Sequence, residues 1–203
     1  MEKGFSPHTV TSGANVHVLF YEESEPRVLS ARVCTLAPMA LATKDPSALL
    51  LKPSMRSILV SDENGSVAKA ECHVQDCRAF GDEWQVEVNV TAWEEVDRRR
   101  YPRHAIEIPI RLKLVREDQG HPEIAEILAV TQDISLGGML VTVGEEVAEG
   151  ALVEIHAALR PKEHIRVLAI VVRAKEDGLL GLEFLDFVGG ARYAMHGFLS
   201  SAA

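Results

Sequence analysis

Four arginines fall within six residues, Arg98, Arg99, Arg100 and Arg103, with Tyr101 and Pro102 between them. A guanidinium group is planar, permanently charged and carries forked donors, so it can pair with phosphate, hydrogen-bond the O6/N7 edge of guanine, or stack on a base. Pro102 fixes its own φ and biases Tyr101 toward extended backbone, which makes the segment a stiffened strap able to wrap an anion. Farther along the chain, Asp133-Ile134-Ser135-Leu136-Gly137-Gly138 stands near the end of a predicted strand. Side chains alternate along a strand, so Asp133 and Ser135 are expected on one face. A carboxylate suits the N1–H and N2–H₂ donor edge of guanine, and a serine hydroxyl can reach phosphate or ribose. Gly137 and Gly138 let the backbone approach a ligand with no Cβ in the way.

Each segment also has a plainer reading. Arginine runs are often solvated linkers, and Asp-x-Ser-x-x-Gly is often a turn whose polar side chains bond the local backbone. Other chemistry finds less support. There is no Gly-x-x-x-x-Gly-Lys loop, no Gly-x-Gly-x-x-Gly after a strand, no Gly-x-Ser-x-Gly elbow and no His-Glu-x-x-His helix. Cys72, His73 and Cys77 could seed a zinc site, but a structural site normally takes four ligands, and these read better as bystanders. The histidines are scattered, with no base oriented beside a nucleophile. No catalytic residue and no metal ligand is assigned.

At 203 residues, 47% hydrophobic and 25% charged, the chain has the composition of one or two globular domains. Its longest apolar run, Val167 to Val172, is far short of the roughly 20 residues a membrane-spanning helix needs, so no membrane insertion is expected. The start, Met1-Glu2-Lys3-Gly4, lacks the basic flank and apolar stretch of a secretion signal. The odd number of cysteines, Cys34, Cys72 and Cys77, fits a reducing compartment. A cytoplasmic location is expected. The net charge of −9 disfavours a general nucleic-acid binder, and aromatics at 5% of the chain leave little for base-stacking platforms. A small phosphate ligand gripped locally stays open.

The elements that must position these groups are strands. Short runs with strand character lie at residues 15–20, 28–36, 48–51, 57–60, 66–74 and 84–90, with turn-forming residues between them. Glu94, Glu95 and Asp97 break the rhythm just before the arginines. Alternation then restarts with Ile106, Ile108, Ile110, Leu112 and Leu114 on one face, predicting a long half-buried strand in which Pro109 favours an edge or a bulge. Further strands are expected at 123–134, 139–143, 151–158, 165–174 and 178–184. A short terminal helix follows from Gly189, with Tyr193, Met195 and Phe198 available for docking. The expected fold is all-β: two small antiparallel β-barrels in series and a short C-terminal helix.

Arg99-x-x-x-Arg103 followed by Asp133-x-Ser135-x-x-Gly138 resembles the signature of the PilZ family of bacterial cyclic di-GMP receptors. Gly181-Leu182-Glu183-Phe184 is similar to the Gly-x-x-Phe element late in that domain. The order of a β-domain, an arginine strap and a second β-domain resembles the flagellar-brake (YcgR-type) arrangement. That resemblance implies a YcgR-like domain over residues 1–95, a strap over 96–103 and a PilZ barrel over 104–203. It implies that Arg99 and Arg103 contact ligand phosphate and guanine, with Asp133, Ser135 and Gly138 on the barrel side. Arg98, just before the strap, would favour an intercalated ligand pair. Cyclic di-GMP is then the ligand, no further cofactor is implied, and the output is a changed interaction with a protein partner such as the flagellar motor or polysaccharide synthesis machinery. An interaction module with an inactive nucleotide site and a flavin-binding split barrel are the alternatives, and a homodimer stays open.

Overall fold

The computed structural model describes residues 10–63, 66–96, 101–115, 126–175 and 177–202. The chain forms two compact units, each a closed six-stranded antiparallel barrel, with one short helix after the second. No helix among the described residues is long and apolar enough to cross a membrane.

The first barrel is built from β1 (Asn15–Glu22), β2 (Glu25–Leu36), β3 (Met39–Thr43), β4 (Arg56–Glu63), β5 (Ser66–Phe80) and β6 (Glu83–Glu95), closed in the order β1-β2-β3-β6-β5-β4. Val16, Val18 and Phe20 alternate into its core, as their spacing predicts, and meet Leu29, Leu41, Leu59 and Val88 there. Two expectations fail locally. Residues 48–51 are not a strand but part of a 3₁₀ turn over Pro46–Leu50. Asp45 Oδ1 accepts from the Ser47 N–H at 2.8 Å and from its hydroxyl at 2.6 Å, and Pro46 has a φ suited to the first helical position. Capping chemistry at Asp45-Pro46-Ser47 therefore overrides the apolar run behind it. The sequence does not predict β3, because its five residues are all buried and so show no alternation.

The second barrel comprises β7 (Pro109–Val115), β8 (Glu126–Ile134), β9 (Gly138–Val143), β10 (Leu152–Arg160), β11 (Glu163–Ala174) and β12 (Leu179–Phe187), closed in the order β10-β11-β12-β9-β8-β7. Ile110, Leu112 and Leu114 face its core with Ile155, Val167 and Leu182. The strand expected from Ile106 begins only at Pro109, and a missing N–H is cheapest at a strand's first residue. Ile106 and Ile108 still pack on the core, but Thr131 satisfies their backbone. Its hydroxyl donates to the Ile106 carbonyl at 2.6 Å and accepts from the Ile108 N–H at 2.9 Å, while its own N–H donates to the Ile108 carbonyl at 3.0 Å. The segment thus follows β8 without joining the ladder.

Helix α1 (Ala191–Ala202) starts after Gly189, whose φ of 60° is one that glycine adopts without strain. Ala191, Met195 and Leu199, four residues apart, form its buried stripe and belong to the core of the second barrel. Phe198 packs partly against that core, as expected. Tyr193 does not dock: it is 86% exposed.

Candidate functional site

Two backbone hydrogen bonds, from the His104 N–H to the Ile134 carbonyl and from the Ile134 N–H to the His104 carbonyl, both 2.9 Å, fasten the chain after the strap to the end of β8. They carry Arg103 alongside Asp133. Arg103 Nη1 donates to Asp133 Oδ1, joining residues thirty positions apart. Both side chains keep contact with solvent, at 38% and 26% relative exposure, so the pair is reachable. A guanidinium fork and a carboxylate side by side present donors and acceptors in one plane of reach.

Ser135 has a different place. It is fully buried, and its hydroxyl accepts from the N–H groups of Gly137 and Gly138 at 3.2 Å each while donating to the Gly138 carbonyl at 3.1 Å. The Gly138 carbonyl also accepts from the Ser135 N–H at 2.9 Å. Such a hydroxyl holds a tight turn at the β8–β9 junction. Gly138 is needed because a Cβ there would run into the carbonyl oxygen of Leu182 on β12. Gly137 accepts from the Phe184 N–H at 2.9 Å, so the turn is fastened to the Gly181–Phe184 element. Of the expected site residues, Arg103 and Asp133 meet in the open, whereas Ser135 and Gly138 shape the backbone beneath them. Arg98 and Arg99, together with Arg100, lie outside the described residues.

Arg103 and Asp133 line a groove of about 710 Å³ with Tyr101, Leu140, Glu149, Arg173 and Gly181 among its walls. Its floor is one transverse row across four strands, because Asp133 pairs with Leu140, Leu140 with Gly181, and Gly181 with Arg173. The register shifts at both ends of the row, between Thr131 and Asp133 and between Val171 and Arg173. Bulges of this kind re-aim side chains and gather near functional sites. Arg173 and Glu149 are not among the residues the sequence points to. The signal available for Arg173 is the Asp177-Gly178 turn, which places residues 173 and 181 opposite each other across the β11–β12 hairpin.

The cysteines belong to the first barrel. Cys72 is fully buried in the first core and its thiol is pushed up to about 12, chiefly by burial. His73, the next residue on β5, points to the other face, and Cys77 donates to the Ala48 carbonyl at 3.2 Å. No metal-holding group of His, Cys, Asp and Glu occurs among the described residues.

Residues 97–194 match the PilZ domain family. The second barrel is a PilZ domain. Comparison with curated proteins finds no match. Among solved structures, the chain is similar to the Bacillus subtilis inhibitor of motility MotI/DgrA, at 17% identity and a TM-score of 0.37, covering 94% of this chain and 99% of that one. It is similar to Escherichia coli YcgR in complex with c-di-GMP, at 15% identity and a TM-score of 0.38, covering 92% and 83%. The PilZ domain of CeSA from a cellulose-synthesizing bacterium matches 50% of this chain and 99% of its own, at 18% identity and a TM-score of 0.39. Within the PilZ domain of this chain, the Arg-x-x-x-Arg strap supplies Arg103 to the groove, and the Asp-x-Ser-x-x-Gly turn supplies Asp133.

Proposed function

We propose that this protein is a cyclic di-GMP receptor whose PilZ domain holds the nucleotide in the groove between Arg103 and Asp133. The observation that carries this reading is their convergence: two motif segments thirty residues apart deliver a forked donor and a carboxylate to one accessible groove. Guanine suits that pair, because it offers acceptors at O6 and N7 and donors at N1 and N2. Adenine carries a donor at N6 where guanine has its O6 acceptor, and therefore matches the arginine less well. Arg98 and Arg99, on the strap, add charge for the phosphates in this reading, and Arg98 favours an intercalated ligand pair.

Ligand binding neutralises a run of like charges and orders the strap. In this reading the strap, residues 96–103, joins a YcgR-like domain over 1–95 to the PilZ barrel over 104–203. Ordering it shifts the population of interdomain arrangements and changes the surface offered to a protein partner in motility or polysaccharide output. Calorimetric titration of the full chain with cyclic di-GMP, with cyclic di-AMP as control, tests the reading. Saturable binding of the guanine ligand with weak or no binding of the adenine one is expected. Equal binding of both, or of neither, overturns it.

A further inference from the structure

The far end of the groove repeats the chemistry of the near end. Every other arginine in the described strands is paired with a glutamate, but Arg173 has no carboxylate partner among the described residues. It is exposed and lines the groove. A Cβ on Gly181, its neighbour across the hairpin, would press against Arg173 Cβ at 3.3 Å, so the glycine clears the strand surface beside the arginine. Glu149 stands at the same end, its Oε1 accepting from the N–H of Ala174, the residue after Arg173, at 2.9 Å. Each end therefore has one arginine and one carboxylate, Arg103 with Asp133 and Arg173 with Glu149, and between them lies the uncharged floor of Leu140 and Gly181.

Three interstrand steps separate Asp133 from Arg173, about 14 Å along the row before side-chain reach is counted. A single phosphate meets one end of such a row. A ligand with two similar purines can meet both ends, each purine facing one arginine and one carboxylate.

Building on the receptor reading above, we infer that Arg173 and Glu149 form a second purine subsite, Arg173 reading the O6/N7 edge of the ligand's other guanine and Glu149 its N1/N2 donors. The protein then tests both bases of a cyclic dinucleotide, not one. Cyclic di-GMP satisfies both ends, whereas the mixed dinucleotide cyclic GMP-AMP satisfies Arg103 and Asp133 but presents an adenine N6 donor to Arg173.

The experiment is a titration of the full chain and its variants with cyclic di-GMP and with cyclic GMP-AMP. The wild type is expected to prefer the symmetric ligand by about 5- to 150-fold, the discrimination of one good bidentate base contact. In Arg173→Ala the affinity for cyclic di-GMP should fall to the level of the mixed ligand while affinity for the mixed ligand holds. Arg173→Lys, which keeps charge but loses the planar fork, and Glu149→Gln should erode the preference too. An unchanged ratio in Arg173→Ala overturns the inference, and so does an equal loss for both ligands, which would make Arg173 a phosphate contact. A wild type that binds neither ligand overturns the receptor reading and this subsite with it.

Discussion

Arg103 and Asp133 hydrogen-bond to each other across thirty residues, so the two groups expected to grip a ligand already grip one another. An exposed pair of this kind adds at most about 1 kcal/mol to stability, and its importance lies in where it holds the guanidinium. Arg103→Ala should weaken cyclic di-GMP binding by about 1–3 kcal/mol, or about 5- to 150-fold. Asp133→Ala removes both an acceptor for the base and the group that steadies Arg103. The double variant should therefore lose less than the sum of the single losses, by at least about 0.5 kcal/mol in a calorimetric cycle. Strict additivity would mean that the two residues act separately.

Gly138 and Ser135 should report in stability before they report in affinity. A methyl group at position 138 collides with a backbone carbonyl of β12, which cannot swing aside as a flexible side chain can. Gly138→Ala should lose several kcal/mol or fail to fold, within the small class of severe substitutions. Ser135→Ala leaves the buried N–H groups of Gly137 and Gly138 without their acceptor, at a cost of about 1–3 kcal/mol. Denaturant melts measure both. A Ser135→Ala protein of wild-type stability that nonetheless fails to bind nucleotide would move this hydroxyl from the turn to the ligand.

Thr131 is fully buried on β8, two residues before Asp133. Its hydroxyl spans the Ile106 carbonyl and the Ile108 N–H, and these residues lie just after Arg103. Thr131→Val keeps the shape and removes the bridge, so it should cost about 1–3 kcal/mol and raise hydrogen exchange at Ile108. Nucleotide affinity should fall with it, because the arginine is anchored through the same stretch. Normal exchange protection at Ile108 in the variant would show that the packing of Ile106 and Ile108 suffices.

The legible parts of this protein are those written in local pattern. Ile110, Leu112 and Leu114 announce β7 by alternation, and the Arg103 and Asp133 segments stand out by residue type and order before the structure brings them to one groove. Ser135 is ambiguous in the sequence for a physical reason, since the same hydroxyl can serve a ligand or a turn, and only burial separates the two. Arg173 and Glu149 are hidden in the sequence because their place depends on tertiary pairing. Nothing local to residues 149 or 173 says that they share a groove with Asp133; for Arg173 that follows from pairings carried across β8, β9, β12 and β11, and for Glu149 from the hydrogen bond it accepts from the Ala174 N–H. The 3₁₀ turn at Pro46 overturns the strand expected at 48–51, because its Asp-Pro-Ser cap outweighs the apolar run after it.

If the strap acts as a ligand-ordered hinge, nucleotide should alter the geometry between the two units. Small-angle scattering at saturating cyclic di-GMP, or a distance between labels at Thr11 and Lys162, should shift relative to the free protein. Arg103→Ala at the same ligand concentration should shift less. Identical profiles with and without ligand in a protein that binds would reject the hinge and leave a receptor that signals through its groove surface alone.

Cys72 gives the stability curve a slope at high pH. Its thiol is held up near 12 in the folded chain, mainly by burial and next by the neighbouring Glu71 carboxylate, against an ordinary value of about 8.5 when unfolded. Below about pH 8.5 the group is protonated in both states and contributes no pH dependence. Between about 8.5 and 12 the unfolded chain sheds the proton while the folded chain keeps it, so the unfolded state binds fewer protons and stability must fall as pH rises. Cys72→Ala should flatten that fall, at a cavity cost seen equally at neutral pH. Thiol labelling gives a second readout, because the thiolate is the reactive form. Half-exposed Cys34 should label in the native protein, and Cys72 only once the first barrel opens. Rapid native labelling of Cys72 would contradict its burial and remove the basis for the pH slope.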